Sequence, residues 1–436
     1  MRIFVLSSDI PHISHHTNGI SAINIQLNEF LKIFLQAGHT VCLQVIFNNY
    51  HPNQLTDFEQ RRLEELKSEQ FHVEPVFFAK DYNQNQNWRR RLAKHIKNIF
   101  GVLFKRICLT DFYPSVSLKK EVTSRIQAFQ PDALFIFGSP EGVAASDGYH
   151  SAPKIAYQGD IDFDPGKARL IDYKLFYGPL GWLMVMTGWR RIRSFEQAHL
   201  LLMKDLSKIF TATAAHVAYY KTNGCQNVEE LGPTWIDEGM TISNKSKAHK
   251  RKIKIIGHIG HLRVTGSTLG MYFLLTQVMP ELEKIMKGLD YEVHIIGAGK
   301  PYPGLEKVIR HPRVYLRGWV ADLDQELRSG DVFLLLNNAG SYLAAYSRTV
   351  MAWSMGLCLI VHRNSLRTLS DMKEGLNVLA GDTGEEIARA IYSAVTDGML
   401  NQHIRQNGRQ TYEQHHTPRI LAERVMDSFR MSISQS

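Results

Sequence analysis

The chain has 436 residues, 44% hydrophobic and 21% charged, an ordinary globular composition but too long for one core, so two domains of about 200 residues each are expected. A formal net charge of +9 favours anionic ligands or anionic lipid, and without a zinc-finger or RNP pattern, or basic charge gathered on one recognition helix, it argues against nucleic acid. Cys42, Cys108, Cys225 and Cys358 are far apart, which excludes a disulfide framework and a thiolate cluster of the usual spacing; they are expected as small buried hydrophobes in a reducing cytoplasm.

The opening Met1–Asp9 has one basic residue and an apolar run too short for a secretion signal, so it is expected as a buried strand entering a loop. Strands are expected at Ile3–Ser7, Val41–Phe47, Val73–Phe78, Ala133–Phe137 and Lys154–Tyr157. Between the first two, Ile20, Ile23, Leu27, Phe30, Leu31 and Phe34 recur at helical spacing, and Gly38 ends the helix. The same alternation returns with strands at Ile253–Ile256, Glu292–Ile296, Val314–Arg317, Val332–Leu336 and Leu357–Val361. Strands apolar on both faces and separated by helices imply doubly wound parallel sheets, and the pattern occurs twice. We therefore expect an α/β chain of two Rossmann-like doubly wound domains facing a cleft, residues 1–235 and 250–416, joined by the polar, lysine-rich stretch Glu238–Lys247.

In such folds ligands lie beyond the carboxyl ends of the strands, and the candidate residues fall there. The turn Gly297-Ala298-Gly299-Lys300 follows a strand; glycines let backbone amides approach a phosphate or a base, although plain turn chemistry also accounts for it. The loop Gly260 to Thr268 carries His261 and Arg263 ahead of a helix, which suits a diphosphate, or equally a capped helix with Arg263 in solvent. The segment Ser347-Arg348-Thr349 opens another helix. A cation in a first turn opposes the helix dipole, so an anionic partner would explain Arg348, the strongest single candidate.

In the first half, Asp160, Asp162 and Asp164 follow a strand and would bind sugar hydroxyls or supply a base, or simply form an Asx-rich turn. No residue spacing completes a metal site, and none is expected. The loop Pro11–Gly19 borders the cleft, with Asn18 and Gly19 opening the first helix. Residues 88–106 read as a basic amphipathic helix headed by Trp88, suited to an anionic membrane surface or to a solvated core helix; Trp182–Arg193 is a weaker segment of the same kind. No apolar run reaches the roughly 20 residues of a spanning helix.

The second half resembles the donor domain of retaining GT-B glycosyltransferases of the family 4 type (glycosyl transferases group 1). The resemblance rests on ordered pieces: Gly260–Arg263, Leu269–Pro280, Gly297-Ala298-Gly299, Val314–Leu323, Ser329–Leu334, Met351–Gly356 and Glu374–Val378. Met1–Ser8, Gly38–Val41 and Leu231–Asp237 match more loosely in the first half. It implies that a nucleotide-sugar, UDP- or GDP-linked, is donor substrate, with no separate cofactor. Arg263 and Arg348 would hold the diphosphate, with Ser347, Thr349, Met351 and His261 at the donor site beside it. Gly297, Gly299, Lys300, Gly318 and Trp319 would line the nucleotide pocket, and a closing helix over about 418–436 would cross back onto the first domain; Asp160 and Gly19, from their own loop positions, would face the pocket from that domain.

The chain departs from the family where two glutamates eight residues apart usually stand: those positions hold Leu343 and Met351. The usual lysine after the first strand of the donor domain gives way to Gly266 or Thr268, and a histidine of the first domain to Gly138 or Ser139. The resemblance implies retaining, metal-independent transfer to a glycan or lipid-linked acceptor in cell-surface polysaccharide synthesis; the cysteines and the basic segment 88–106 add the expectation of a cytoplasmic protein at the inner face of the membrane. Alternatives are a degenerate GT-B binding or scaffold protein, favoured by Leu343 and Met351, and a nucleotide-sugar epimerase.

Overall fold

The computed structural model describes the chain apart from residues 13–21, 48–53, 70, 79–115, 160–169, 171–188, 190–191, 194, 238, 240–251, 264–265, 340–342, 345 and 435–436. Gly19, Asp160, Asp162, Asp164, the basic segment 88–106 and most of 182–193 therefore lie outside the described residues.

The first half contributes β1 (Arg2–Ser7), β2 (Thr40–Phe47), β3 (His72–Val73), β4 (Phe77–Phe78), β5 (Ala133–Phe137), β6 (Lys154–Gln158), β7 (Lys208–Thr211) and β8 (Val228–Glu230). They form a sheet ordered β3-β2-β1-β5-β6-β7-β8, with β4 also on β2. The second half contributes β9 (Ile253–Ile259), β10 (Tyr291–Ile296), β11 (Val314–Gly318), β12 (Val332–Leu335), β13 (Leu359–His362) and β14 (Leu379–Gly381), ordered β11-β10-β9-β12-β13-β14. Every strand pairing within these two sheets is parallel. Both sheets reverse winding beside their first strand, at β1/β5 and at β9/β12, the switch point at which a doubly wound sheet opens a crevice.

The inner strands are near-continuous apolar runs because helices cover both faces, whereas β11 is exposed. Phe4 and Leu6 pack with Leu134 and Ile136 on one face of the first sheet, while Ile3 and Val5 pack with Leu27, Phe30 and Phe34 of the helix Ala22–Gln36 on the other. The expected strand Val73–Phe78 is split into β3 and β4. Pro75 between them has no N–H to give to a ladder, and its carbonyl instead accepts from Gln44 Nε2 at 2.6 Å. The short strands β7, β8 and β14 carry too few residues for a period to register in the sequence.

The halves meet through the segment after β8 and through the C-terminal helices. Thr234 Oγ1 donates to the carbonyl of His416, His416 Nδ1 to Pro233 O at 3.1 Å, and Tyr412 Oη to Trp235 O at 3.0 Å. The helix Pro418–Ser434 then lies along Ala22–Gln36, with the Phe429 and Phe34 rings 6.0 Å apart. Near the carboxyl ends of β7 and β13, Ala214 N donates to Thr368 O at 2.9 Å, and Ser370 N donates to Glu230 Oε1 at 3.0 Å.

Candidate active site

The candidate residues of the second half converge on the carboxyl edge of its sheet, where three strand ends are laced by main-chain hydrogen bonds. Gly260 N donates to Ile296 O at 3.0 Å, Leu262 N to Ala298 O at 3.0 Å and Gly297 N to Gly318 O at 2.8 Å. Gly297 has φ +151°, and a Cβ there would stand 1.8 Å from Gly260 O, so only glycine lets these turns touch. The His261 ring lies against Gly299, where a Cβ would meet it at 2.6 Å. The result is a smooth rim of backbone at the ends of β9, β10 and β11, with Trp319 61% exposed beside it.

Across the switch point, Asn337 Nδ2 donates to Ser267 Oγ at 3.2 Å, and a Cβ at Gly270 would sit 2.9 Å from Asn337 N. The helix Ser267–Phe273 thus packs directly on the end of β12, and Gly266, at its N-cap with φ +81°, offers no side-chain cap. Asn338, 1% exposed, clamps the next loop: Nδ2 donates to Ala344 O at 3.2 Å and Ser365 Oγ at 3.1 Å, and Oδ1 accepts from Ala344 N at 3.1 Å.

That clamp leads into Tyr346 and the helix Ser347–Ser354, whose first turn holds Arg348. Its guanidinium lies 4.9 Å from the Tyr346 ring centroid and donates through Nη1 to the carbonyl of Ile259, the last residue of β9. Burial pulls its pKa below the ordinary guanidinium value. His258, one residue earlier on β9, is 3% exposed with Nε2 unpartnered. Burial, then the nearby Arg348 charge, push the His258 pKa down to about 3, so the imidazole is neutral and Arg348 carries the charge there. Sequence reasoning passed over His258, since a histidine inside an apolar strand reads as core.

The other candidates are disposed differently. Arg263 is turned onto the next loop, its Nη2 donating to Pro301 O at 3.3 Å, its Nε to Lys300 O, and its guanidinium 5.1 Å from the Tyr302 ring centroid. His261 Nδ1 accepts from Arg263 N at 3.2 Å, and Lys300 is exposed, 3.6 Å from Glu306. Ser347 is half-buried at the helix start. Thr349 and Met351 are buried, Met351 3% exposed in the apolar layer with Ile256, Phe333 and Trp353. On the opposite sheet, Ser8 Oγ donates to Gly138 O at 2.7 Å and Ser139 caps the helix Pro140–Ala145, with Oγ 3.0 Å from Gly142 N.

Two parallel sheets of this strand order, tied by a C-terminal helix that returns to the first, define the architecture. The fold is GT-B. It superposes over its length on solved structures: the HepE protein of Anabaena in complex with UDP at TM-score 0.62 and 13% identity, covering 99% of this chain and 100% of that one. Sucrose-phosphate synthase from Thermosynechococcus elongatus gives TM-score 0.63 at 10% identity, with both chains covered 100%. A glycosyltransferase from Rickettsia africae gives 0.60 at 11%, again covering 100% of each. Residues 253–397 match the family Glycosyl transferases group 1, a stretch that holds every candidate residue of the second GT-B half. No curated protein sequence matches the chain.

Proposed function

We propose that this protein is a glycosyltransferase that binds a nucleotide-sugar through its second half and moves the sugar to an acceptor hydroxyl presented by the first. The observation that carries this reading is Arg348, held by Tyr346 and Ile259 O at the switch point of a sheet whose strand ends carry a rim of glycine turns free of side chains. A diphosphate leaving group gathers negative charge as the glycosidic bond breaks. A guanidinium already fixed there stabilises that charge without reorganising, worth roughly 3 kcal/mol for a well-aimed donor. Arg263 and Lys300 lie on the adjoining loops, Arg263 turned onto the carbonyls of Lys300 and Pro301 and Lys300 beside Glu306, so in this reading Arg348 carries most of the load.

The donor is UDP- or GDP-linked, with UDP first because the HepE structure that this chain resembles holds UDP. Trp319 and the Gly297–Gly299 turn frame the base. With Met351 inside the core and Leu343 upstream, no carboxylate at those positions grips the ribose, so the backbone rim must do so. Transfer with retention, to a glycan or lipid-linked acceptor in surface polysaccharide synthesis, follows the family resemblance, and the basic amphipathic sequence 88–106 supports a place at the inner face of the membrane. Among the described residues no helix is long and apolar enough to cross a membrane. The buried Met351 also favours a second reading, a GT-B protein that binds without turnover.

A thermal-shift screen against UDP, GDP, ADP, CMP and TDP tests the reading. One nucleotide should raise Tm, and Arg348→Ala should abolish the rise. No shift with any of them defeats the donor site; a shift without hydrolysis or transfer of the matching nucleotide-sugars favours the non-catalytic protein.

A further inference from the structure

A second constellation lies at the other end of the first sheet, away from the strand ends that form the cleft. Cys42 on β2 stands directly opposite His72 on β3 in a parallel register, so their side chains share a face, and Glu74 is two residues beyond His72 on that same side. Glu74 N is fixed to Leu43 O at 2.9 Å. One donor atom from each of Cys42, His72 and Glu74 falls within 4.8 Å of the others.

We propose that Cys42, His72 and Glu74 form a divalent transition-metal site, suited to Zn²⁺, that fastens β3 to β2. Thiolate, imidazole and carboxylate are the donor set that zinc takes, and three protein ligands leave a fourth position for water. The spacing fits: His72 Nε2 and Glu74 Oε1 are 3.2 Å apart, whereas a tetrahedral ion with bonds of about 2.1 Å separates two such donors by roughly 3.4 Å. The ion would lie between these two donors and the Cys42 sulfur.

The surroundings suit the role. The other oxygen of Glu74, Oε2, accepts from Arg125 Nη1, so the carboxylate is oriented by a neighbour that need not leave when Oε1 binds metal. The His72 ring is stacked on Phe129 and is exposed to solvent, whereas Cys42 is buried behind it. Binding at the Cys42 sulfur releases its proton: thiol plus M²⁺ gives the metal thiolate and H⁺. Scattered cysteines hide such a site from the sequence, because its ligands come from two strands 30 residues apart.

The test is titration of the full chain, stripped with EDTA and reduced, with Co²⁺ as a spectroscopic probe and then with Zn²⁺. A Cys108→Ser background removes the cysteine outside the described residues. One equivalent of Co²⁺ should give a sulfur-to-cobalt charge-transfer band that Zn²⁺ abolishes. Cys225→Ser and Cys358→Ser should keep the band and Cys42→Ser lose it, while His72→Gln should weaken Zn²⁺ binding by at least about 10-fold. No band in the parent protein, or one that survives Cys42→Ser, overturns the site. If Cys42→Ser fails to fold by circular dichroism, the solvent-exposed His72→Gln decides, and unchanged affinity there also overturns it.

Discussion

The carbonyl oxygen of Gly260 occupies the space that a side chain on Gly297 would need, 1.8 Å from where its Cβ would stand. Two turns from neighbouring strands are thereby pressed together into the rim on which a nucleotide would lie. Gly297→Ala must force them apart, and we expect a loss of roughly 2–3 kcal/mol in stability together with loss of nucleotide binding. Gly288 is the control: it also has positive φ, at +87°, but nothing lies within 4 Å of its Cβ position. Gly288→Ala should cost only about 1 kcal/mol and leave binding intact. Denaturant melts and nucleotide titrations of both variants decide it.

His258 gives stability a pH dependence whose sign is fixed by its burial. Its pKa is about 3 when folded against the ordinary 6.5, so between those values the unfolded chain binds a proton that the folded chain does not. Stability therefore falls as pH drops through that window, by up to ~1.4 kcal/mol per pH unit from this group. In His258→Gln that slope should be absent. Urea denaturation of both proteins at pH 7, 6 and 5 measures it, and parallel curves would mean that the imidazole is not buried in its neutral form.

Asn338 satisfies both main-chain groups of Ala344 and fixes the loop that delivers Arg348. Asn338→Ala leaves a buried N–H and a buried C=O without their partner, an expected cost of roughly 2–3 kcal/mol. Nucleotide affinity should fall along with it. Asn338→Asp keeps an acceptor for Ala344 N but loses the donors, so it should lie between. An affinity unchanged in a folded Asn338→Ala protein would show that Arg348 is placed without this clamp.

Arg409 holds the start of the linker through Asp237, with Nη1 2.6 Å from Oδ1 and Nη2 2.8 Å from Oδ2. This pairing pulls the Asp237 pKa below its ordinary 3.8. A depressed carboxylate stabilises above the unfolded value and loses that contribution as pH falls through the folded one. Asp237 is half exposed, so Asp237→Asn should cost only about 1 kcal/mol at pH 7, and the difference from the parent should close on acidification below 3.8. Paired melts from pH 7 to pH 3 test this.

Much of the architecture was legible because it is written locally. β5 spans Ala133–Phe137 as its apolar run indicates, and β1, β2, β6, β9 and β10 differ from expectation only by extra residues at one end or the other. Gly38, with φ +78°, stops the first helix as a residue free of Cβ can. The glycine turns after β9 and β10 stood out for the same reason. Where a proline intervened, as at Pro75, or a strand had only three residues, as in β8 and β14, periodicity carried no signal.

The sequence by itself determined two doubly wound sheets and the glycine-rich loops at their strand ends, since hydrophobic period and glycine placement are properties of neighbouring residues. Only the tertiary structure decided what those loops do to one another. Arg348 reaches the carbonyl of Ile259 from 89 residues away, whereas Arg263 turns onto the carbonyls of Lys300 and Pro301. His258 loses its proton to burial, and His416 meets Pro233 from 183 residues off. Such contacts depend on which strand lies beside which, and a parallel crossover brings together residues whose local sequences hold no trace of each other.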